Sequence, residues 1–113
     1  MSDPCAQFVE YAEAHQAKWI ANLAEAVEIP SVSGDASFRA EVYKMGAWLK
    51  NKLAEVGCDV SSHDLGMQTL DGQEVQLPPV IVGEYGRDPS MMPVLVDGDS
   101  VVPPALDSAV WRR

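Results

Sequence analysis

The chain has 113 residues, enough for one small domain that buries roughly 65% of its unfolded surface. Its composition, 47% hydrophobic and 22% charged, is that of a folded globular protein and excludes disorder of the whole chain. Seventeen acids against eight bases give a net charge of −9, and the only close basic pairs are Lys50 with Lys52 and Arg112 with Arg113. Phosphate neutralisation needs clustered Lys and Arg, so neither a nucleic-acid partner nor an anionic membrane surface is expected.

Asp3-Pro4 reads as a helix start, with Asp3 as N-cap and Pro4 in the first turn. Phe8, Ala12, Trp19, Leu23, Ala26 and Val27 follow a 3.6-residue period, while Glu10, Glu13, Gln16, Lys18 and Glu25 mostly fall elsewhere on the wheel. One amphipathic helix is expected, ending before Pro30. Ile29-Pro30-Ser31-Val32-Ser33-Gly34-Asp35 is a connector. A second helix is expected from about Ala36 to Val56, with the stripe Phe38, Val42, Met45, Leu49, Leu53 and Val56 and a left-handed cap at Gly57.

Cys58 to Leu65 has strand character. Gly66 to Leu77 is polar, with Asp71-Gly72 as a turn dipeptide. Pro79 to Tyr85 is the next expected strand, Gly86 to Ser90 a turn, and Pro93 to Val96 a third strand of unbroken apolar residues. The expected fold class is α/β: two N-terminal helices packed on a partial open sheet of about three strands. Such a sheet leaves edges with unpaired backbone groups.

The residues offer few sites. His15 lies beside the first helix stripe without a ligand partner at metal-binding spacing, and reads as a partly buried helix histidine. His63 and Asp64 are strand neighbours that point to opposite faces. Ser31 and Ser33 sit in no nucleophile elbow and suit turn or capping roles. Asp97, Asp99 and Asp107 lack the spacing of a calcium loop. Cys5 and Cys58 make no disulfide framework and read as reduced thiols of a cytoplasmic protein. The N-terminus shows neither a secretory signal nor, with the rest of the chain, a run of the ~20 apolar residues a membrane span needs.

Taken in order, several stretches resemble the N-terminal segment of the dinuclear zinc metallopeptidases of the aminoacylase and carboxypeptidase clan, in the cytosolic nonspecific (carnosine) dipeptidase branch. They are Ile29-Pro30-Ser31-Val32-Ser33, Leu53-Ala54-Glu55-Val56-Gly57-Cys58, Asp64-Leu65-Gly66, Asp71-Gly72, Leu77 to Gly86 and Arg87-Asp88-Pro89. The resemblance covers about residues 5 to 98 and weakens after it, where Val102, Pro104, Ala105, Leu106, Asp107 and Trp111 look like remnants of the family pattern. It implies a zinc-dependent hydrolase of short peptides, working with two zinc or manganese ions bridged by a carboxylate and a water.

The family carries Gly-His-x-Asp-Val-Gln-Pro where this chain has Gly98-Asp99-Ser100-Val101-Val102-Pro103-Pro104. Gly98 matches the glycine, Asp99 stands in place of the metal-binding histidine, and Val101 in place of an acid close to the metals. An aspartate can ligate zinc but presents its oxygen elsewhere, and a valine offers no lone pair. The family's other ligands correspond to positions past residue 113. The expectations are therefore a partial catalytic domain at 1–98, a divergent tail at 99–113, no catalytic, cofactor-binding or metal-ligating residue in this chain, no metal bound, and no activity alone. The alternatives are a non-catalytic interaction protein that self-associates through an open sheet edge, or a truncated product without evolved function.

Overall fold

The computed structural model describes residues 3–102, so the expected remnants Pro104, Ala105, Leu106, Asp107 and Trp111 lie outside the described residues. The elements in chain order are α1 (Pro4–Ala14), α2 (Gln16–Glu28), a short 3-10 turn (Ala36–Phe38), α3 (Arg39–Glu55), β1 (Asp59–His63), β2 (Met67–Leu70), β3 (Gln73–Gln76) and β4 (Val80–Glu84). The α/β class expected from the pattern is what forms.

Asp3 caps α1 as its sequence predicts: its carboxylate accepts the Cys5 N–H at 3.0 Å, with Pro4 in the first turn. The expected single N-terminal helix is instead two. His15, at φ −110°, interrupts the ladder. Its Nδ1 lies 2.8 Å from the Tyr11 carbonyl, its ring stacks on Tyr11 at 4.1 Å, and Trp19 Nε1 donates to the Ala12 carbonyl at 3.1 Å. Side chains thus add to the backbone bonds at the break, where the Tyr11 carbonyl also accepts the His15 N–H at 3.2 Å.

The apolar stripe of these helices is real but uncovered. Phe8 is 70% exposed, Ile20 60% and Leu23 64%, and neither helix buries a residue. Polar contacts join α2 to α3: Glu25 accepts from Trp48 Nε1 at 3.2 Å and pairs with Lys52 at 2.9 Å, and Lys52 also reaches Asn22 at 3.3 Å. The Lys52 hydrogen bond, then Trp48, lowers the Glu25 pKa; the Glu25 hydrogen bond raises that of Lys52. Asp35 and Asp88 are lowered too, first by the hydroxyls of Ser37 and Ser90.

A carboxyl with a lowered folded-state pKa adds stability above its unfolded pKa and loses it as pH falls through the folded one. Acid unfolding is accordingly expected to begin as pH drops below the ordinary carboxylate range, and to begin at a higher pH in Glu25→Gln, read as ellipticity against pH.

The interior is small. Its buried apolar residues are Ile29 and Val32 from the connector and Val42 and Met45 from α3. Asp35 accepts the Ser37 N–H at 2.9 Å and so caps the short 3-10 turn that leads into α3. α3 ends at Gly57, φ +93°, where the Cys58 and Gly57 N–H groups return to the carbonyls of Leu53 and Ala54, each at 3.0 Å. This is the left-handed cap expected there, and a side chain would be strained in it.

α3 packs on the antiparallel pair β1–β4, in which Val60 faces Gly83 and Ser62 faces Ile81. A Cβ on Gly83 would stand 3.3 Å from Leu53 Cδ1 and 3.4 Å from Cys58 Cβ. Gly83→Val is therefore expected to cost about 1–3 kcal/mol by overpacking, measured as a lower urea midpoint at unchanged slope.

The stretch read as a polar connection holds a hairpin, β2–β3, with Met67 opposite Gln76 and Leu70 opposite Gln73. Asp71 and Gly72 both have positive φ, 52° and 75°, the two-residue turn whose twist matches the strands. Arg39 and Tyr43 of α3 hold the hairpin through Gln68 (3.1 Å) and the Gln76 carbonyl (2.7 Å).

Pro93 to Val96, expected as a strand, forms none. Val94, Leu95 and Val96 are 87–92% exposed and no strand pairs with them among the described residues. An apolar run supplies side chains for a sheet but not the neighbouring backbone that makes it one.

Candidate functional site

The histidines and serines weighed for chemistry each have a structural partner. His15 breaks the helix, as above. His63 closes β1 with its Nε2 2.9 Å from Ser61 Oγ. Asp64, next to it, accepts the Gly66 N–H at 2.7 Å and Gln76 Nε2 at 3.2 Å, so the two neighbours serve different partners. Ser31 is fully buried, and its hydroxyl donates to the Ser100 carbonyl at 3.2 Å while the Val102 N–H donates to the Ser31 carbonyl at 3.2 Å. These two bonds clasp the 100–102 segment to the connector. Ser33 gives its carbonyl to Arg39 at 3.5 Å. Cys5 and Cys58 are both free thiols.

A cleft of about 410 Å³ between α3 and the strands is lined by Tyr43, Ser62, Asp64, Gln76, Leu77 and Pro79. Tyr43 donates to the Gln76 carbonyl and the Gln76 amide donates to Asp64 within it. It has an acceptor, Asp64, but no imidazole or thiol.

The segment that matters most for a hydrolase runs from Asp97 to Val101. It is irregular and mostly exposed. Its two carboxylates, Asp97 and Asp99, are the donors it offers. His15 and His63 are each committed elsewhere. Among the described residues no group of three His, Cys, Asp or Glu side chains converges so as to hold a metal ion. A zinc pair needs imidazole or carboxylate donors on several sides of each ion. The described residues do not fit such a centre.

No family model matches the chain. Individual proteins do. Cys-Gly metallodipeptidase dug1 of Schizosaccharomyces pombe is 36% identical over 94 residues, covering 83% of this chain and 20% of that protein. Beta-Ala-His dipeptidase of Homo sapiens is 38% identical over 105 residues, covering 90% and 21%. The solved structure of the dipeptidase Dug1p from Saccharomyces cerevisiae superposes with a TM-score of 0.86 at 33% identity, covering 93% of this chain and 22% of that one. At that identity and overlap the likeness is of sequence and fold together: the chain is a homologue of a segment of the metallodipeptidases, a class of peptide hydrolases. Within that class the relatives it resembles include Cys-Gly and Beta-Ala-His dipeptidases. The chain spans about a fifth of the length of the relatives it matches.

Sequence reasoning missed Arg39. It is 7% exposed, its Nη2 reaches Gln68 Oε1 at 3.1 Å, and its Nε is buried with no acceptor. One arginine at the start of an amphipathic helix carries no sign that it will be buried.

Proposed function

We propose that these 113 residues form a non-catalytic segment of the metallodipeptidase type: the N-terminal part of a zinc-dependent hydrolase of short peptides, inactive alone. The single observation behind this is the donor set after Gly98, where Asp99 and Val101 occupy the positions that the family fills with a histidine and an acid. In this reading residues 1–98 are the partial catalytic domain and 99–113 a diverged tail. The chain is cytoplasmic, holds its two cysteines reduced, binds neither nucleic acid nor membrane, and binds no metal itself. No helix among the described residues is long and apolar enough to cross a membrane, which is consistent with that placement. Zinc titration followed by calorimetry tests the reading. No saturable event with two ions per chain is expected, and tight binding of two zinc ions to the purified chain would sink it.

A second reading, favoured by the exposure of Val94, Leu95 and Val96, is an interaction protein that self-associates by strand addition along this apolar run. Size-exclusion chromatography separates the two. Concentration-dependent dimerisation that Leu95→Asp abolishes supports strand addition, and a monomer at high concentration removes it.

A further inference from the structure

The chain carries two apolar surfaces that its own fold leaves unused. On α1 and α2, Phe8, Ile20 and Leu23 stand exposed, and neither helix buries a residue. After β4, Met92, Leu95 and Val96 stand exposed on backbone that pairs with no strand among the described residues. The β1–β4 pair is a sheet of two strands, so both its outer edges are open as well. The exposed area, 9283 Å², exceeds that of a compact monomer of this length by about 3,000 Å². An obligate interface buries about 1,000–2,500 Å² on each side, whereas the largest apolar patch of an ordinary monomer covers about 300–600 Å². The excess is on the scale of a permanent interface.

Charge and backbone conformation identify the occupant. Each copy carries −9, and like net charge opposes association of one copy with another. The backbone superposes on Dug1p while most of that larger chain lies outside the match. The segment therefore already holds the conformation that its counterpart has inside a larger fold. We propose that these surfaces dock a separate polypeptide carrying the remainder of a metallodipeptidase fold, which brings strands to pair beside residues 93–96 and apolar helices to cover α1 and α2. A backbone set in advance lowers the ordering cost of such docking. The proposal rests on the N-terminal-segment reading above and goes beyond it in assigning the chain a partner and a surface.

The test co-expresses the tagged 113-residue chain with Saccharomyces cerevisiae Dug1p from which the superposing segment has been deleted. Soluble truncated Dug1p is expected to rise about tenfold or more over its level without the chain, because a partner that binds only the folded state stabilises it. The two polypeptides are expected to elute together. Leu23→Asp and Leu95→Asp, both at exposed positions, are expected to keep the helix content of the free chain and to lower the co-eluting fraction about tenfold each. Intact Dug1p is expected to escape capture, since its own segment fills the place. Truncated Dug1p that stays insoluble or elutes apart from the chain overturns the proposal. So does capture that neither variant weakens, or equal capture of intact Dug1p. A concentration-dependent dimer of the chain that Leu23→Asp abolishes, with no capture, overturns it in favour of a second copy. If a variant does not fold, amide exchange in the wild-type complex decides: slowed exchange at residues 94–96 supports the docking, and unchanged exchange overturns it. Zinc titration and turnover of the chain by itself do not depend on capture, so failed capture leaves the hydrolase-segment reading standing.

Discussion

Met45→Ala is expected to leave this chain largely unfolded at room temperature. Met45 is 4% exposed, one of the four buried apolar residues among the described ones, with Ile29, Val32 and Val42. Truncating a buried methionine costs about 2–5 kcal/mol, through lost transfer energy and the cavity left behind. A typical domain has about 5–15 kcal/mol in total, and this one sits at the low end. It exposes 9283 Å², whereas a compact monomer of this length exposes about 6,100 Å². Its radius of gyration is 17.4 Å, against about 13 Å for a compact chain of this size. Leu23→Ala is the control. Leu23 is 64% exposed on α2, so its removal is expected to shift stability by no more than about 0.5 kcal/mol. Circular dichroism in urea reads both. Equal midpoints for the two variants would mean that the core lies elsewhere.

The second large effect is expected at residues 99 and 101. The paired substitution Asp99→His with Val101→Asp replaces an oxygen donor by an imidazole and a hydrocarbon by a carboxylate, beside the existing Asp97. Zinc binding is expected to tighten at least about tenfold, roughly 1.4 kcal/mol, followed by competition with a chromophoric chelator. Dipeptide turnover is expected to stay at blank, because one ion held by a few exposed donors has neither the second ion nor the bridge that two-metal hydrolysis needs. If the pair bound zinc no better than wild type, the loop would be shown to lack the geometry as well as the donors.

Much of this architecture is legible in the residue order. Asp3-Pro4 fixes the first helix start, Gly57 fixes the end of α3, and the stripe through Val42 and Met45 marks the face that becomes the core. What is not legible depends on side chains meeting across turns or on partners. The break at His15 goes with the His15 ring stacking on Tyr11 and with the His15 and Trp19 side chains meeting the Tyr11 and Ala12 carbonyls, in a stretch whose apolar period continues past it. The β2–β3 hairpin hides because its strands are short and polar, although Asp71-Gly72 marks its turn. Pro93 to Val96 has the composition of a buried strand without a neighbour to pair with. At the candidate site, Asp99 and Val101 can be read directly against the family motif. Arg39 cannot, because its burial arises only when β2 and the connector close over the start of α3.

Hydrolysis of Cys-Gly and of β-Ala-His by the purified 113-residue chain, with zinc or manganese added, tests the central claim most directly. Release of amino acids at the rate of the enzyme-free blank is the predicted result. Saturable release that a chelator abolishes, and that tracks the folded fraction of the chain, would contradict the account.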